Sequence, residues 1–152
     1  MDYLSMLRQK KMTLIVSLPG NRLELARAAA ECGADVIKVH MNVRHRASGL
    51  HFGTFAEEKE VLEQIIGIAD GRPCGIVAGN EIEDVERDYR KAMEIGFGFV
   101  SLYTSAMPLS VLATEGLLKM AALAHDYTPE EAEDLATIGV DILEASIMRP
   151  ET

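Results

Sequence analysis

Three segments of the sequence repeat one pattern and place polar side chains at matching positions. Each segment begins at a glycine, at Gly33, Gly96 and Gly139. The residues five and seven positions later are Lys38 and His40, Ser101 and Tyr103, and Glu144 and Ser146. A lysine shielded from water can act as a base or form an imine, and a nearby carboxylate can complete an acid–base pair. We therefore predict Lys38, Glu144 and His40 as catalytic residues, and Ser101, Tyr103 and Ser146 as substrate contacts.

The sequence alternates between apolar runs and amphipathic helical stretches, and this alternation predicts the strands and helices that position these residues. Six runs are typical of parallel strands covered by helices, at residues 13–18, 36–41, 74–79, 99–103, 119–125 and 141–147. Each glycine of the repeat ends a helix and leads directly into a strand. The pattern predicts a single α/β domain over residues 1–152. We expect a parallel (β/α) barrel of the TIM-barrel type, with about six β/α units present and the last quarter missing.

Helices are predicted between the strands and after a short amphipathic opening at residues 3–11. They span residues 21–32, 55–69, 81–95, 109–118 and 128–138. Asn21, Thr54 and Thr128 stand where helix N-caps belong. Thr128 is followed by Pro129 and, three residues on, by Glu131, which is the pattern of a capping box.

The alternation of side chains along a strand sets which residues face the barrel axis. It directs Val36, Phe99 and Ile142 inward as an apolar bottom layer, with the polar residues of the repeat above them. Alternate strands of a barrel contribute side chains to one interior layer, so Lys38 and Glu144 are expected to flank a ligand at the mouth. The alternative is an interior ion pair that fills the barrel without chemistry.

Three further polar residues are predicted at the top of the barrel, where barrel enzymes place their active sites. Ser17 and Asn80 lie at the ends of the first and third strands and are predicted to contact substrate, although Asn80 also fits a helix N-cap. Asp126 follows the fifth strand and is predicted to face the axis. With His40 and Glu144 it offers an alternative, a hard metal site. Because no tight ligand spacing supports that site, we expect no metal and no cofactor.

The longest loop after a strand spans residues 42–53 and concentrates two arginines and two histidines in an acidic protein. We predict that Arg44 and Arg46 hold an anion on a mobile lid with Gly49 and Gly53 as hinges. The alternative is an ordinary solvated turn, since arginine is common on protein surfaces.

Composition restricts the class of partner. The net charge of −9 opposes phosphate backbones, so we expect no nucleic acid and instead a small anionic metabolite. The apolar runs are far shorter than the roughly 20 residues needed to span a bilayer, so we expect no membrane partner. The opening residues do not resemble a signal peptide. Cys32 and Cys74 both stand in apolar patterns, which favours a cytoplasmic protein with reduced thiols.

The helix-to-strand joints at residues 33–40 and 139–144 carry a family resemblance. Gly33-Ala-Asp-Val-Ile-Lys-Val-His40 and Gly139-Val-Asp-Ile-Leu-Glu144 resemble the joints of phosphate-binding barrels. That superfamily includes ribulose-phosphate epimerases, orotidylate decarboxylases and the barrels of the tryptophan pathway. The resemblance implies a TIM barrel acting on a phosphorylated metabolite.

These observations lead to two functional hypotheses. The first is a lyase or isomerase that transfers a proton next to a carbonyl of a small phosphorylated or carboxylated metabolite. The alternative is a non-catalytic truncated barrel that serves as an oligomerising or ligand-binding module. Six strands cannot close a barrel that needs eight, so we expect either a fragment of a complete barrel or a homo-oligomer in which a second copy covers the gap.

Overall fold

The computed structural model describes residues 3–46 and 48–145, which form eight strands, six α-helices and one 3-10 turn at Thr104–Ala106. The strands are β1 (Ile15–Ser17), β2 (Val36–His40), β3 (Val43–Arg44), β4 (His51–Phe52), β5 (Cys74–Val77), β6 (Phe99–Tyr103), β7 (Leu118–Leu123) and β8 (Ile142–Ala145). The helices are α1 (Tyr3–Gln9), α2 (Leu23–Glu31), α3 (Phe55–Ala69), α4 (Ile82–Glu94), α5 (Leu109–Leu112) and α6 (Pro129–Thr137).

Six of the strands form one parallel sheet in the order β1-β2-β5-β6-β7-β8, which is their order along the chain. Strands β3 and β4 pair separately as an antiparallel hairpin between β2 and α3. All six strands predicted from the sequence are present, and every pairing between neighbours is parallel. The predicted α/β class and parallel sheet are therefore confirmed.

The sheet is curled into a half-barrel, as one side-chain contact demonstrates. Strands β2 and β8 are four steps apart in the sheet, which in a flat sheet would separate them by roughly 19 Å. Yet Lys38 on β2 and Glu144 on β8 form an ion pair of 2.8 Å. The two strands must therefore approach each other across a concave inner face.

The outer face of the sheet packs against the helices and forms the larger apolar core. Its strand residues alternate with the inward-facing ones and are almost completely buried: Ile37, Val39, Ile76, Val100 and Leu102. Partner side chains come mainly from α3 and α4, whose apolar positions recur at helical spacing. No helix within the described ranges is long and apolar enough to cross a bilayer.

A smaller apolar cluster closes the bottom of the inner face. Val36, Phe99 and Met120 are buried there, with Ile142 packed against them. Helix α1 covers this layer through Tyr3, whose ring lies 4.7 Å from the ring of Phe99. The inward direction predicted for Val36, Phe99 and Ile142 is confirmed, and the polar layer above them begins on an apolar floor.

Two of the three repeated segments have an aspartate two positions after the glycine, and this aspartate has a structural role at the start of the strand. The carboxylate of Asp35 accepts a hydrogen bond from the backbone N–H of Leu14, at 3.0 Å. Asp141 accepts one from the backbone N–H of Lys119, at 2.8 Å. Each aspartate thus ties its own strand to the neighbouring strand that precedes it, which fixes the register of the inner face.

Two predicted helix features differ in the structure. Helix α5 ends at Leu112 and does not extend to residue 118, which is already the first residue of β7. Between them Gly116 adopts a φ of +73°, which a continuing helix could not accommodate. Thr54 and Thr128 are the N-caps of their helices, as predicted, and both form capping boxes, of which only that of Thr128 was predicted. Asn21 does not cap α2, whose N-cap is Arg22. The Asn21 amide instead donates to the carbonyl of His40, at 2.7 Å.

Candidate active site

A cavity of about 280 Å3 opens at the carboxyl ends of the parallel strands, above the apolar floor. It brings together most of the residues predicted from the sequence: Ser17, Lys38, His40, Arg44, Arg46, Asn80, Ser101, Tyr103 and Glu144. The carboxyl ends of parallel strands are where barrel enzymes carry their chemistry. The cavity is therefore the candidate active site.

Lys38, Ser101 and Glu144 form a hydrogen-bonded triangle at the base of this cavity. The Lys38 ammonium donates to Glu144 Oε2 at 2.8 Å, and the Ser101 hydroxyl donates to the same oxygen at 3.1 Å. Lys38 Nζ also lies 3.5 Å from Ser101 Oγ. An unpaired interior ammonium would cost several kcal/mol, and the triangle supplies Lys38 with a carboxylate and a hydroxyl as partners inside the fold.

Tyr3, which belongs to the apolar floor, is affected by the polar layer above it. Burial, together with the charge of Glu144, raises the pKa of Tyr3 to about 12. Tyr3 is therefore a neutral phenol at physiological pH. Its buried hydroxyl has no hydrogen-bond partner among residues 3–46 and 48–145. The base of the cavity is thus shielded from water on the side of α1.

His40 is buried in the wall of the cavity and is 3% exposed. Its ring lies 4.5 Å from the ring of His45 and 4.8 Å from that of Phe52. Burial lowers the pKa of His40 to about 3, helped by the nearby charges of His45 and Lys38. His40 is therefore a neutral imidazole that can donate or accept a hydrogen bond, but it contributes no positive charge for an oxyanion.

The arginines of the predicted lid lie on a structured hairpin. In β3 and β4, Val43 pairs with Phe52 and Arg44 with His51. Val43 and Phe52 are buried, which attaches the base of the hairpin to the core. Arg44 and Arg46 are exposed at the mouth of the cavity. The sequence missed this hairpin because each strand is only two residues long.

The hairpin begins at an anchored asparagine. Asn42 adopts a φ of +54°, and its amide donates to Asp88 Oδ2 at 3.0 Å and to the Ala78 carbonyl at 3.1 Å. Arg87 and Lys91 also donate to the Asp88 carboxylate. Burial opposes ionisation of Asp88, but the donors Lys91, Asn42 and Arg87 outweigh it and lower the pKa to about 2.

Sequence reasoning did not find Asp88 or His45. Asp88 lies on the buried face of α4 with Val85, Tyr89 and Ala92. The sequence signal that could have identified it is an acidic residue at a position where the helical pattern predicts an apolar one. His45 lines the cavity. Burial lowers the pKa of His45, and the nearby charge of Lys38 lowers it further. No spacing rule connects His45 with His40, because a turn and a hairpin bring them together.

One predicted site residue lies elsewhere. The side chain of Asp126 is 75% exposed and borders a separate groove with Tyr127 and Glu131. Strand β7 ends at Leu123, and a turn closed by the Tyr127 N–H and the Ala124 carbonyl directs the chain away from the axis. The prediction that Asp126 faces the axis was wrong.

The alternative metal site of Asp126, His40 and Glu144 is consequently not assembled. Among residues 3–46 and 48–145, no group of three or more His, Cys, Asp or Glu side chains could hold a metal ion. Ser146 lies outside the described residues. Asn80 is exposed at the mouth of the cavity, and the N-cap of α4 is Glu81 rather than Asn80.

The sequence was compared with protein-family models and with curated proteins. No family model matches the chain. No curated protein matches it.

Proposed function

We propose that the protein is a lyase or isomerase that transfers a proton next to the carbonyl of a small phosphorylated or carboxylated metabolite. The observation that carries this proposal is the Lys38–Glu144 pair at the base of the cavity, 2.8 Å apart and open to a ligand from above. An ammonium and a carboxylate in contact can donate and accept a proton at adjacent atoms of one substrate.

Each residue of the triangle has a role in this proposal. Glu144 takes the proton from the carbon next to the carbonyl, and Lys38 stabilises the negative charge that develops on the carbonyl oxygen. Ser101 donates to Glu144 and keeps the carboxylate oriented. Tyr103 and the neutral His40 line the cavity above and orient the substrate.

The charge around the cavity supports an anionic substrate. Lys38, Arg44 and Arg46 line it, with Glu144 as the carboxylate among its lining residues. The whole chain, by contrast, has a net charge of −9. A local excess of cations in an acidic protein attracts small anions and repels large polyanions such as nucleic acids.

The fold adds support by analogy. Six parallel strands in chain order, with helices outside and a polar layer at their carboxyl ends, favour a barrel of the TIM type. On this proposal the chain is related to the phosphate-binding barrels, and two further strand–helix units complete the ring. Fold analogy does not by itself define a reaction, so the proposal depends on the site.

Exchange of substrate hydrogen with solvent deuterium tests the proposed function. The wild-type chain should accelerate exchange at the carbon next to the carbonyl of small phosphorylated or carboxylated ketones, followed by proton NMR. Lys38→Met should reduce that rate by about 100-fold or more. Lys59→Met, at an exposed lysine of α3, is the control and should exchange normally. Exchange no faster than in buffer, or full exchange by Lys38→Met, would contradict the proposal.

A second candidate function is a non-catalytic module that associates with another copy. Two observations favour it: the Lys38–Glu144 pair is satisfied without a ligand, and β1 and β8 have no further strand beside them within the described residues. Open strand edges invite pairing. Leu14 and Leu143, at these edges, are 46% and 40% exposed.

Light scattering distinguishes this candidate. The wild-type chain should have the mass of a dimer or larger assembly, and Leu143→Lys on β8 should reduce it to a monomer. Leu109→Lys, at an exposed leucine of α5, is the matched control and should not change the mass. A wild-type chain that is monomeric at all concentrations would exclude the second candidate.

A further inference from the structure

We propose that Lys38 forms a covalent imine with the carbonyl carbon of a small aldehyde or ketone that carries an anionic group. The inference rests on the proposed function and changes one step of it: the imine, rather than the Lys38 ammonium beside a carbonyl oxygen, stabilises the carbanion that Glu144 generates. A protonated imine withdraws electrons from the neighbouring carbon more strongly than a hydrogen-bonded carbonyl does.

The position of Lys38 distinguishes it from the other lysines of the chain. Lys38 is 7% exposed, whereas the other five lysines are exposed or half-buried. Its Nζ contacts Glu144 and Ser101 on one side and borders the cavity. The apolar floor of Val36, Phe99 and Ile142 lies beneath it. A lysine held against an apolar layer and beside a proton acceptor is suited to nucleophilic attack.

The strands next to Lys38 leave space for an adduct. Ser17 is its register partner on β1, and Ala122 is the partner of Glu144 on β7. Both residues have small side chains and line the cavity. The cavity of about 280 Å3 above them is large compared with the roughly 30 Å3 that one water occupies in the liquid. A carbinolamine on Nζ can therefore form without displacing a bulky wall residue.

Glu144 completes the proton balance of imine formation. It accepts a proton from the Lys38 ammonium, which frees the lone pair of Nζ to form a bond to the carbonyl carbon. The carbonyl oxygen takes up that proton, receives a second one from the nitrogen and leaves as water, while the C=N bond forms. The ammonium and the carbonyl compound thus give a protonated imine and one water, and no other reactant is required.

The rim of the cavity defines the substrate class. Arg44 and Arg46 lie on the hairpin at the mouth and can hold a carboxylate or a phosphate. Burial lowers the pKa of both His40 and His45, which disfavours a positive charge on either ring. The arginines are therefore the groups that select an anionic carbonyl compound over a neutral one.

Reductive trapping tests the imine. The full chain is incubated with sodium borohydride and one of three probes: pyruvate, dihydroxyacetone phosphate or uncharged dihydroxyacetone. Peptide mapping by mass spectrometry then locates the reduced adduct. We expect Lys38 to be labelled at least about tenfold more than any other lysine, because the cavity holds the reactants together. The anionic probe that labels more shows whether a carboxylate or a phosphate is recognised.

The controls separate this inference from the proposed function. Lys38→Arg keeps a cation beside Glu144 but cannot form an imine, so this variant should give no adduct. Lys59→Arg is the control and should still form the adduct on Lys38. Deuterium exchange without an adduct on Lys38 would overturn the imine and leave the proposed function standing. Equal labelling of the surface lysines would also overturn it. Neither exchange nor adduct with any probe would overturn both proposals.

Discussion

Lys38 and Glu144 form an ion pair in which the two charges are shielded unequally. Their atoms lie 2.8 Å apart, but the side chain of Lys38 is 9% exposed and that of Glu144 is 41% exposed. Removal of the carboxylate therefore leaves an ammonium shielded from water, whereas removal of the lysine leaves a carboxylate that water can reach. Loss of Glu144 and loss of Lys38 should therefore lower the stability of the fold by different amounts.

We predict that Glu144→Ala lowers the free energy of unfolding by about 2 kcal/mol, because the ammonium of Lys38 stays buried without its partner. Lys38→Met should lower it by less than about 1 kcal/mol, since methionine packs well against the apolar floor. Urea denaturation at neutral pH measures both values. Glu63→Ala, in the exposed Lys59–Glu63 pair of α3, is the control and should change it by less than about 0.5 kcal/mol. A greater loss from Lys38→Met than from Glu144→Ala would refute this account of the pair.

The close approach of Phe99 to Gly75 gives a second prediction. A Cβ on Gly75 would lie 2.0 Å from Cζ of Phe99, a distance that two carbon atoms cannot tolerate. Gly75→Ala should therefore destabilise the protein by about 2 kcal/mol in thermal or urea unfolding. Adding Phe99→Leu should recover part of that loss, since the two residues are in contact.

Gly67 in α3 supplies the matched control for Gly75. A Cβ there meets no atom within 4 Å, so Gly67→Ala should stabilise the helix by about 0.5 to 1 kcal/mol. If Gly75→Ala were as harmless as Gly67→Ala, the ring of Phe99 would have to lie elsewhere and the apolar floor would be misassigned.

The sequence predicted the inner face of the barrel well because two local rules agree there. Glycines that end helices set where β2, β6 and β8 begin, and the alternation of side chains then directs Lys38, Ser101 and Glu144 inward. Both rules depend on residues within one element and its preceding turn. The contact between Lys38 and Glu144 follows once the strands are parallel and curled.

Prediction from the sequence failed where a side chain makes contacts distant in the chain or where a strand ends earlier than its pattern suggests. Asn21 was predicted to cap α2, yet its amide bonds the backbone of β2 and the carboxylate of Glu58. Asp126 was predicted to face the axis by extending the alternation beyond Leu123, where the strand has ended and the alternation no longer applies. The hairpin depends on Asp88, distant in sequence, which no local pattern connects with Asn42.

The Asp88 cluster predicts how stability depends on pH. Its hydrogen bonds lower the pKa of Asp88 in the folded state from 3.8 to about 2. The stabilisation is therefore fully present above about pH 4 and is lost as the pH falls towards 2. Over that interval the wild type should lose about 2 kcal/mol more unfolding free energy than Asp88→Asn, which has no charge to protonate.

Unfolding by urea at a series of pH values between 2 and 5 provides the comparison. Asp70→Asn, at the exposed C-cap of α3, is the matched control and should retain the wild-type dependence on pH. Parallel curves for wild type and Asp88→Asn would show that the carboxylate of Asp88 is not stabilised by Lys91, Asn42 and Arg87.

The two arginines at the mouth of the cavity are expected to hold the anion. Arg44 and Arg46 lie on the hairpin beside the cavity, and both are exposed. Replacing both by alanine should weaken binding of inorganic phosphate, measured by calorimetry at low salt, by about tenfold or more, because two cations near one anion are lost. Unfolding free energy should stay within about 0.5 kcal/mol of wild type, since surface substitutions rarely change it further. Arg27→Ala, at an exposed arginine of α2, is the matched control and should leave the affinity unchanged. If the double variant binds phosphate as tightly as Arg27→Ala does, the hairpin takes no part in holding the anion.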